Sequence, residues 1–494
     1  MRRLLLAPLA YLMAVSVFSH DTHAVADKWS EIKSPNFTVW ANASDGDTRT
    51  LVWQLEQIRN VAKNLWPWMK VDLPKPMVVI ALKDETSMNA LAPQYWEVKG
   101  GVRPGSVWVT APDQHYIAIR ADLRRRDDVM VNPHTSAYFS YANLVFRAGF
   151  EGAPPLWLTR GLAGVLSNTL VRQDDVIIGA VIPWHLERLR ERWVPLRQLM
   201  TVTSLSPEFR TSDGQRDFDA RSWAFVHYLM FGDGGVNAPR LNAFVGALSQ
   251  GQAAATAFGS AIGNIDDYER AFGNYVNRSV YSVVRVKIDM GLERERFPVK
   301  PMTPVESAVA RASFHVAMRR PVEARALIEE AIKLDPQAPG PNVVEAFILE
   351  AGGNVEGAKA AYARAVELGT TNPHALYRAA MLSRRAADTA TMERVEANLA
   401  KAIEVSPLFA AAHAALAEAR ADLGKPQSAI VTHMQKAVSL EPSNPWHRLA
   451  AARVLRRLNA IEESRKAAES ALKLADDDPA ARAEAERILG MLKR

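Results

Sequence analysis

The chain has no cysteine in 494 residues. That excludes disulfides, thiolate metal ligands, a cysteine nucleophile and a lipidated N-terminal cysteine, so the core alone must hold the fold. Long apolar runs are also scarce: beyond the stretch from Leu4 to Phe18, nothing approaches the roughly 18 consecutive apolar residues of a membrane span. No HExxH occurs, and His115, His134, His185 and His227 have no histidine partner one helical turn away. A G-x-S-x-G nucleophile elbow is absent, and "FGDGG" lacks the lysine and spacing of a phosphate-cradling loop. A dominant sign of charge is missing as well. The formal charge of +6 falls to +5 without Arg2, Arg3 and Asp21. A balance that small over hundreds of residues does not point to nucleic acid.

What is present begins with an address. Arg2 and Arg3 form a charged start, Leu4 to Phe18 an apolar run, and Ala24-Val25-Ala26 a small-x-small cleavage site. These predict a secretory signal peptide over 1–26 and a mature chain with no membrane span. Without a lipidation cysteine the expected destination is the periplasm, with release into the medium as the other outcome.

A hydrophobic fraction of 48% suffices for two cores. Eleven of the twelve tryptophans lie between Trp29 and Trp223, which sets a first domain over 27–300 apart from 301–494. In the second part "EEAIKLDP", "ARAVELGT", "AKAIEVSP", "QKAVSLEP" and "ESALKLAD" align on Ala331, Ala365, Ala402, Ala437 and Ala471, with spacings of 34, 37, 35 and 34 residues. The period resembles that of tetratricopeptide repeats and implies about five helix pairs stacked as an all-α superhelix. Small residues such as Ala324 and Ala358 allow close approach, while Ile328, Tyr362 and Leu399 fill the gaps. Pro336, Pro407 and Pro442 end second helices. About three extra residues near "RRAADTATME" lengthen a turn of the third unit. Such an array implies a concave groove for a protein or peptide partner. A structural spacer or a dimerisation arm is the plainer alternative, and the oligomeric state is not legible.

The first domain mixes strand and helix signals. "NFTVWA", "PMVVIAL" and "SVWVTAPDQHYIAIRADL" read as strands, the last as a hairpin turning near Pro112 and Asp113. "DGDTRTLVWQLEQIRNVAKNLWP" reads as a helix capped by Asp47, with Leu51, Leu55, Ile58 and Ala62 on one face. A helix over about 132–148, capped by Asn132 and ended by Gly149, is followed by a Pro154-Pro155 break and a second helix, "LWLTRGLAGVLSNTL". "ARSWAFVHYLMFGDGG" and the segment from Leu241 to Val276 add further helices. The sum is an α+β layer arrangement.

This order, with "PLW", "GLA" and "SWAFVHYL", resembles the peptidase MA-like gluzincin domain of exported bacterial proteins. In active members HExxH on the first helix and a glutamate in a WLxEGLA-like pattern on the second bind zinc. The resemblance places Phe139 and Asn143 at the histidines, Ser140 at the catalytic glutamate and Arg160 at the ligand glutamate. Phenylalanine has no lone pair for a metal, asparagine offers a neutral carbonyl, and arginine stays cationic. The expectation is a degenerate site with no metal, no cofactor and no catalysis. Arg160 either receives an anionic group from a partner, pairs with an acid such as Glu151, or points to solvent.

Other candidates have plainer explanations. His227 reads as a core histidine. Asp127-Asp128, Asp174-Asp175 and Asp266-Asp267 read as caps or loop charges, and "HLERLRER" as a helix face with intrahelical pairs. The composite expectation is an exported binding scaffold of the cell envelope. The rival is a peptidase or other hydrolase with a non-standard site within 27–300. A third reading gives the first domain no role beyond folding and exporting the repeats.

Overall fold

The computed structural model describes residues 28–66, 69, 71–73, 75–97, 103–124, 130–148, 150, 154–191, 195–287, 291–384, 388–475 and 478–492, with Glu208 described in its backbone alone. The expected leader over 1–26 lies outside these residues, as do Gly149, Glu151 and Asp127-Asp128.

Among the described residues nine strands build two sheets: β1 (Ser30–Lys33), β2 (Thr38–Ala41), β3 (Met77–Leu82), β4 (Ser106–Thr110), β5 (His115–Arg120), β6 (Leu170–Val171), β7 (Asp175–Ile178), β8 (Val284–Lys287) and β9 (Val299–Pro301). The larger sheet runs β4-β5-β3-β2-β1-β9 and the smaller β6-β7-β8. In the larger sheet β2, β3 and β5 are parallel and the other pairings antiparallel. Alternation along these strands divides the apolar side chains between two faces. Val39, Ala41, Val79, Ala81, Ile117 and Ile119 join the main core. Val78, Ile80, Leu82, Tyr116 and Ala118 join a second core on the other face. β3, buried at all six positions, is the central strand this pattern demands.

Helix Asp45–Leu65 covers the first face with Leu51, Leu55, Ile58 and Ala62. Its cap is Ser44 rather than Asp47: the Ser44 hydroxyl accepts from the Asp47 amide at 3.1 Å. Asp47 instead lies in the first turn, where a carboxylate complements the positive helix end. The next long helix is Thr135–Ala148, three residues later than expected from Asn132. Asn132 forms the turn ahead of it, its Oδ1 accepting from the His134 amide at 2.8 Å. Helix Leu156–Ser167 is shorter than its motif suggested. Asn168 stops it by donating its side-chain amide to the carbonyls of Ala180 and Val181, and the chain then enters β6 at Leu170.

Two charge readings are corrected. In helix Pro183–Glu191 the arginine pairing is not intrahelical: Arg188 reaches across to Asp217 at 2.7 Å. Asp175 is no loop charge, because it opens β7 and pairs with Arg285 on β8 at 3.3 Å. Asp266 does stand in the first turn of helix Asp266–Val276 and pairs with Arg197.

β9 straddles residue 300, and Thr303 then opens the repeats with a reciprocal capping box to Glu306. Helix pairs follow at Pro304–Ala317 with Pro321–Leu334, Gly340–Ala351 with Val355–Glu367, Pro373–Ser383 with Thr389–Val405, Ala410–Asp422 with Gln427–Leu440, and Pro445–Arg457 with Ile461–Leu474. A last helix, Pro479–Met491, covers the fifth pair. Ala331, Ala365, Ala402, Ala437 and Ala471 are all buried. Asp335, Ser406 and Glu441 leave the helical region directly before Pro336, Pro407 and Pro442, as proline sterics require. Part of the extra length of the third unit goes into its second helix, which has 17 residues.

The repeats are not a separate appendage. Phe314, on the first repeat helix, is fully buried in the core on the second face of the sheet, edge-on to Tyr116 at 5.8 Å. Further along, Asn372 donates its side-chain amide to Asp113 in the β4–β5 turn at 3.0 Å. The Asp113 carboxyl is raised above the usual carboxylate range by burial, against the hydrogen bond from Asn372.

Candidate functional site

Helices Leu156–Ser167 and Ser212–Phe231 pack at very short range because glycines face the contact. A methyl group on Gly161 would stand 2.4 Å from the Ser222 carbonyl, and one on Gly164 2.9 Å from the Trp223 Cβ. Trp157 anchors the other side, stacked on Phe244 at 5.9 Å and tilted on Phe225 at 5.4 Å. Helix Thr135–Ala148 lies across the Leu156–Ser167 helix and completes the frame.

Within this frame the expected positions 139 and 160 do meet. The Arg160 guanidinium lies 4.6 Å above the Phe139 ring and 5.5 Å from the Phe209 ring. Its charge is met by Asp219 rather than by solvent: Nε donates to Oδ1 at 2.6 Å and a terminal nitrogen donates to Oδ2, while Glu151 lies outside the described residues. Burial raises the Asp219 carboxyl, and Arg160 opposes that shift. Ser140 turns its hydroxyl back to the Ser136 carbonyl at 3.0 Å. The Asn143 side-chain oxygen is buried without a hydrogen-bond partner. Chemically, this is a two-pronged ion pair under aromatic cover. Asp219 neutralises the charge that an incoming anion would seek.

Asp219 was not singled out in the sequence. The usable signal was Arg160 itself, a permanent cation inside the apolar run "LWLTRGLAG", which demands a carboxylate when buried. Among the described residues no three His, Cys, Asp or Glu side chains gather as a metal ion would require.

The histidines are otherwise engaged or isolated. His227 is fully buried, with Nε2 2.8 Å from the Gly179 carbonyl and Nδ1 2.6 Å from the Tyr275 hydroxyl. A carbonyl only accepts, so Nε2 carries the proton and Nδ1 accepts from Tyr275. Burial pushes the His227 pKa down to about 4, against the pull of the Gly179 carbonyl. His115 lies 2.9 Å from the Thr110 hydroxyl across the β4–β5 pair.

The second candidate surface is on the repeats. Inter-repeat ion pairs tie successive first helices together: Arg384 and Arg453 each reach Glu418 at 2.6 Å, Arg384 also reaches Asp422 at 2.6 Å, and Arg457 reaches Asp422 at 3.0 Å. Beside this ladder opens a groove of about 990 Å³, lined by Arg378, Met381, Leu382, Met392, Leu423 and Arg457 among others. Its lining mixes methionine and leucine side chains with arginines that are paired with Glu350 and Asp422.

No protein-family model matches the sequence, and no curated protein does. Solved structures do resemble part of the chain. TTC0263, a thermophilic TPR protein of Thermus thermophilus, is 22% identical and matches over 37% of this chain and 98% of its own, with a TM-score of 0.28. YrrB, described as a TPR protein with an unusual peptide-binding site, is 14% identical over 36% of this chain and 90% of its own, with a TM-score of 0.31. The pilF protein of Pseudomonas aeruginosa is 14% identical over 38% of this chain and 91% of its own, with a TM-score of 0.27. Likeness at this level leaves the tetratricopeptide architecture resting on the repeat period and the helix pairs themselves.

Proposed function

We propose that the chain is an exported, non-catalytic scaffold of the cell envelope whose repeat groove holds a segment of a protein partner. The observation that carries this reading is the groove itself, which runs across successive helix pairs from Val355 to Arg457 and offers Met381, Leu382 and Leu423 to a partner. Flexible methionines and leucines between charged rims suit a peptide or helix of another protein. Because Phe314 belongs to the core of the sheet, the first domain holds the groove in a fixed setting and adds a second rigid surface.

The first domain is, in this proposal, a degenerate relative of the peptidase MA-like gluzincins. Support comes from the order of its elements and from the juxtaposition of Phe139 and Arg160, where that family has metal ligands. In place of a cation stands the Arg160–Asp219 pair. Export rests on the charged start, apolar run and cleavage site within residues 1–26.

The test compares the full chain with a Met381→Glu, Leu423→Glu double variant in affinity capture from envelope extract. Both side chains are half-buried against the core of their repeat, so circular dichroism first establishes that the variant is folded, and the folded variant should lose its specific protein partner. Capture of the same partner at the same level by both proteins would remove the groove from the proposal. A metal content of about one zinc per purified chain, the stoichiometry of a catalytic site, would revive the hydrolase reading. Cell fractionation tests export directly.

A further inference from the structure

A separate cavity of about 390 Å³ opens at the N-terminal end of helix Thr135–Ala148 and shares no lining residue with the repeat groove. Its size is within the range of small-ligand pockets. Its polar lining includes Asp47, Gln54, Arg124, Asn132, His134 and Arg172.

The charges favour an anion. The charge of Asp47 is offset by Arg124, which meets its Oδ1 at 2.8 Å, while its Oδ2 accepts from the Ser44 hydroxyl at 2.9 Å. Arg172 has no carboxylate partner among the described residues. The 14-residue helix that points its N-terminus here has no acidic residue in its first turn, so its positive end is not complemented from within.

A second, independent observation is His134. It lines the cavity at 9% exposure, and its Nδ1 has no hydrogen-bond partner. A buried ring nitrogen left unpaired is costly, and such atoms normally mark a missing partner. Burial, with Arg124 nearby, pushes the His134 pKa down to about 4. The ring is therefore neutral at pH 7 and offers one N–H without adding charge. Gln54 accepts from the Tyr138 hydroxyl through Oε1 at 2.8 Å, which leaves its amide N–H groups to donate.

We propose that this cavity binds a small ligand through one terminal oxyanion, a carboxylate or a phosphate monoester. The oxyanion sits between the Arg172 guanidinium and the helix N-terminus, and His134 and Gln54 donate to it.

Calorimetric titration of the full chain at low ionic strength tests this, with inorganic phosphate in one arm and lactate in the other. Saturable binding is expected in at least one arm, and the tighter arm identifies the oxyanion. Arg172→Ala, at an exposed position, should weaken binding about tenfold. His134→Ala should do the same, and Arg394→Ala on the repeats should not. Absence of saturable binding in both arms at concentrations about ten times a millimolar Kd, or wild-type affinity in Arg172→Ala, would overturn the proposal.

Discussion

Arg160 and Asp219 are joined by two parallel hydrogen bonds, with the guanidinium Nε 2.6 Å from Oδ1, and both side chains are only 17% exposed. The pair supplies both charges from the chain itself. Its energetics are asymmetric. Removing one partner strands the other, at a cost of about 3–5 kcal/mol, whereas replacing both with apolar groups of similar size is often close to neutral.

Arg160→Leu alone should therefore lower the thermal midpoint markedly, and Arg160→Leu with Asp219→Leu should recover most of the loss. Differential scanning calorimetry of the two variants decides the matter. Equal midpoints for the single variant and the wild type would mean that the pair holds nothing.

The close helix contact makes a sharper demand. A Cβ on Gly161 would stand 2.4 Å from the Ser222 carbonyl and equally near the Val226 side chain. Backbone cannot yield there, so the two helices would have to separate. Gly161→Ala should cost at least about 1–3 kcal/mol, the range typical of overpacking, and guanidinium unfolding would report it. Gly246→Ala, which lies inside a helix and meets nothing within 4 Å, is the control and should be stabilised slightly, by about 0.5–1 kcal/mol.

These two sites show what the sequence did and did not disclose. The repeat period disclosed the helix pairs, because each unit must place a small residue at the same helix crossing, and Ala331 to Ala471 do so. Short continuous apolar runs disclosed the central strands, since β3 is buried at all six positions and β5 at its four inner ones. Asp219 was hidden because an ion pair between residues 59 apart in sequence leaves no periodic trace. Arg188 misled in a related way: carboxylates stood near it in sequence, yet its partner Asp217 is across a helix contact. Phe314 was hidden because its repeat pattern is satisfied equally well by packing on a sheet. Caps shifted by a few residues, as Ser44 did, since Ser, Asp and Asn compete for that role within one turn.

Phe314 leads to a third prediction. The residue is fully buried between the first repeat helix and the sheet. Phe314→Ala should cost about 3–5 kcal/mol, as large aromatic truncations do. Because the loss falls on the junction, limited proteolysis should then cut between the first domain and the repeats before either is degraded. Cleavage unchanged from wild type would place the mechanical link elsewhere, for instance at Asn372 and Asp113.

Acid sensitivity follows from His227. Its folded pKa is about 4, below the ordinary histidine value of 6.5. Below pH 6.5 the unfolded chain takes up a proton at this residue while the folded chain does not, so unfolding gains protons and stability falls as pH falls. The contribution is fully present above pH 6.5 and is lost progressively toward pH 4, in total on the order of 3 kcal/mol for this one buried ring. In structural terms, a protonated Nδ1 would lose its acceptor role toward Tyr275 and face a hydroxyl that must then reverse. Thermal unfolding measured across this window should show a steep decline in the wild type and a shallower one in His227→Phe, whatever the absolute midpoint of the variant. A slope that the substitution leaves unchanged would assign the acid response to other buried rings, of which His134 and His185 are held down in the same way by burial.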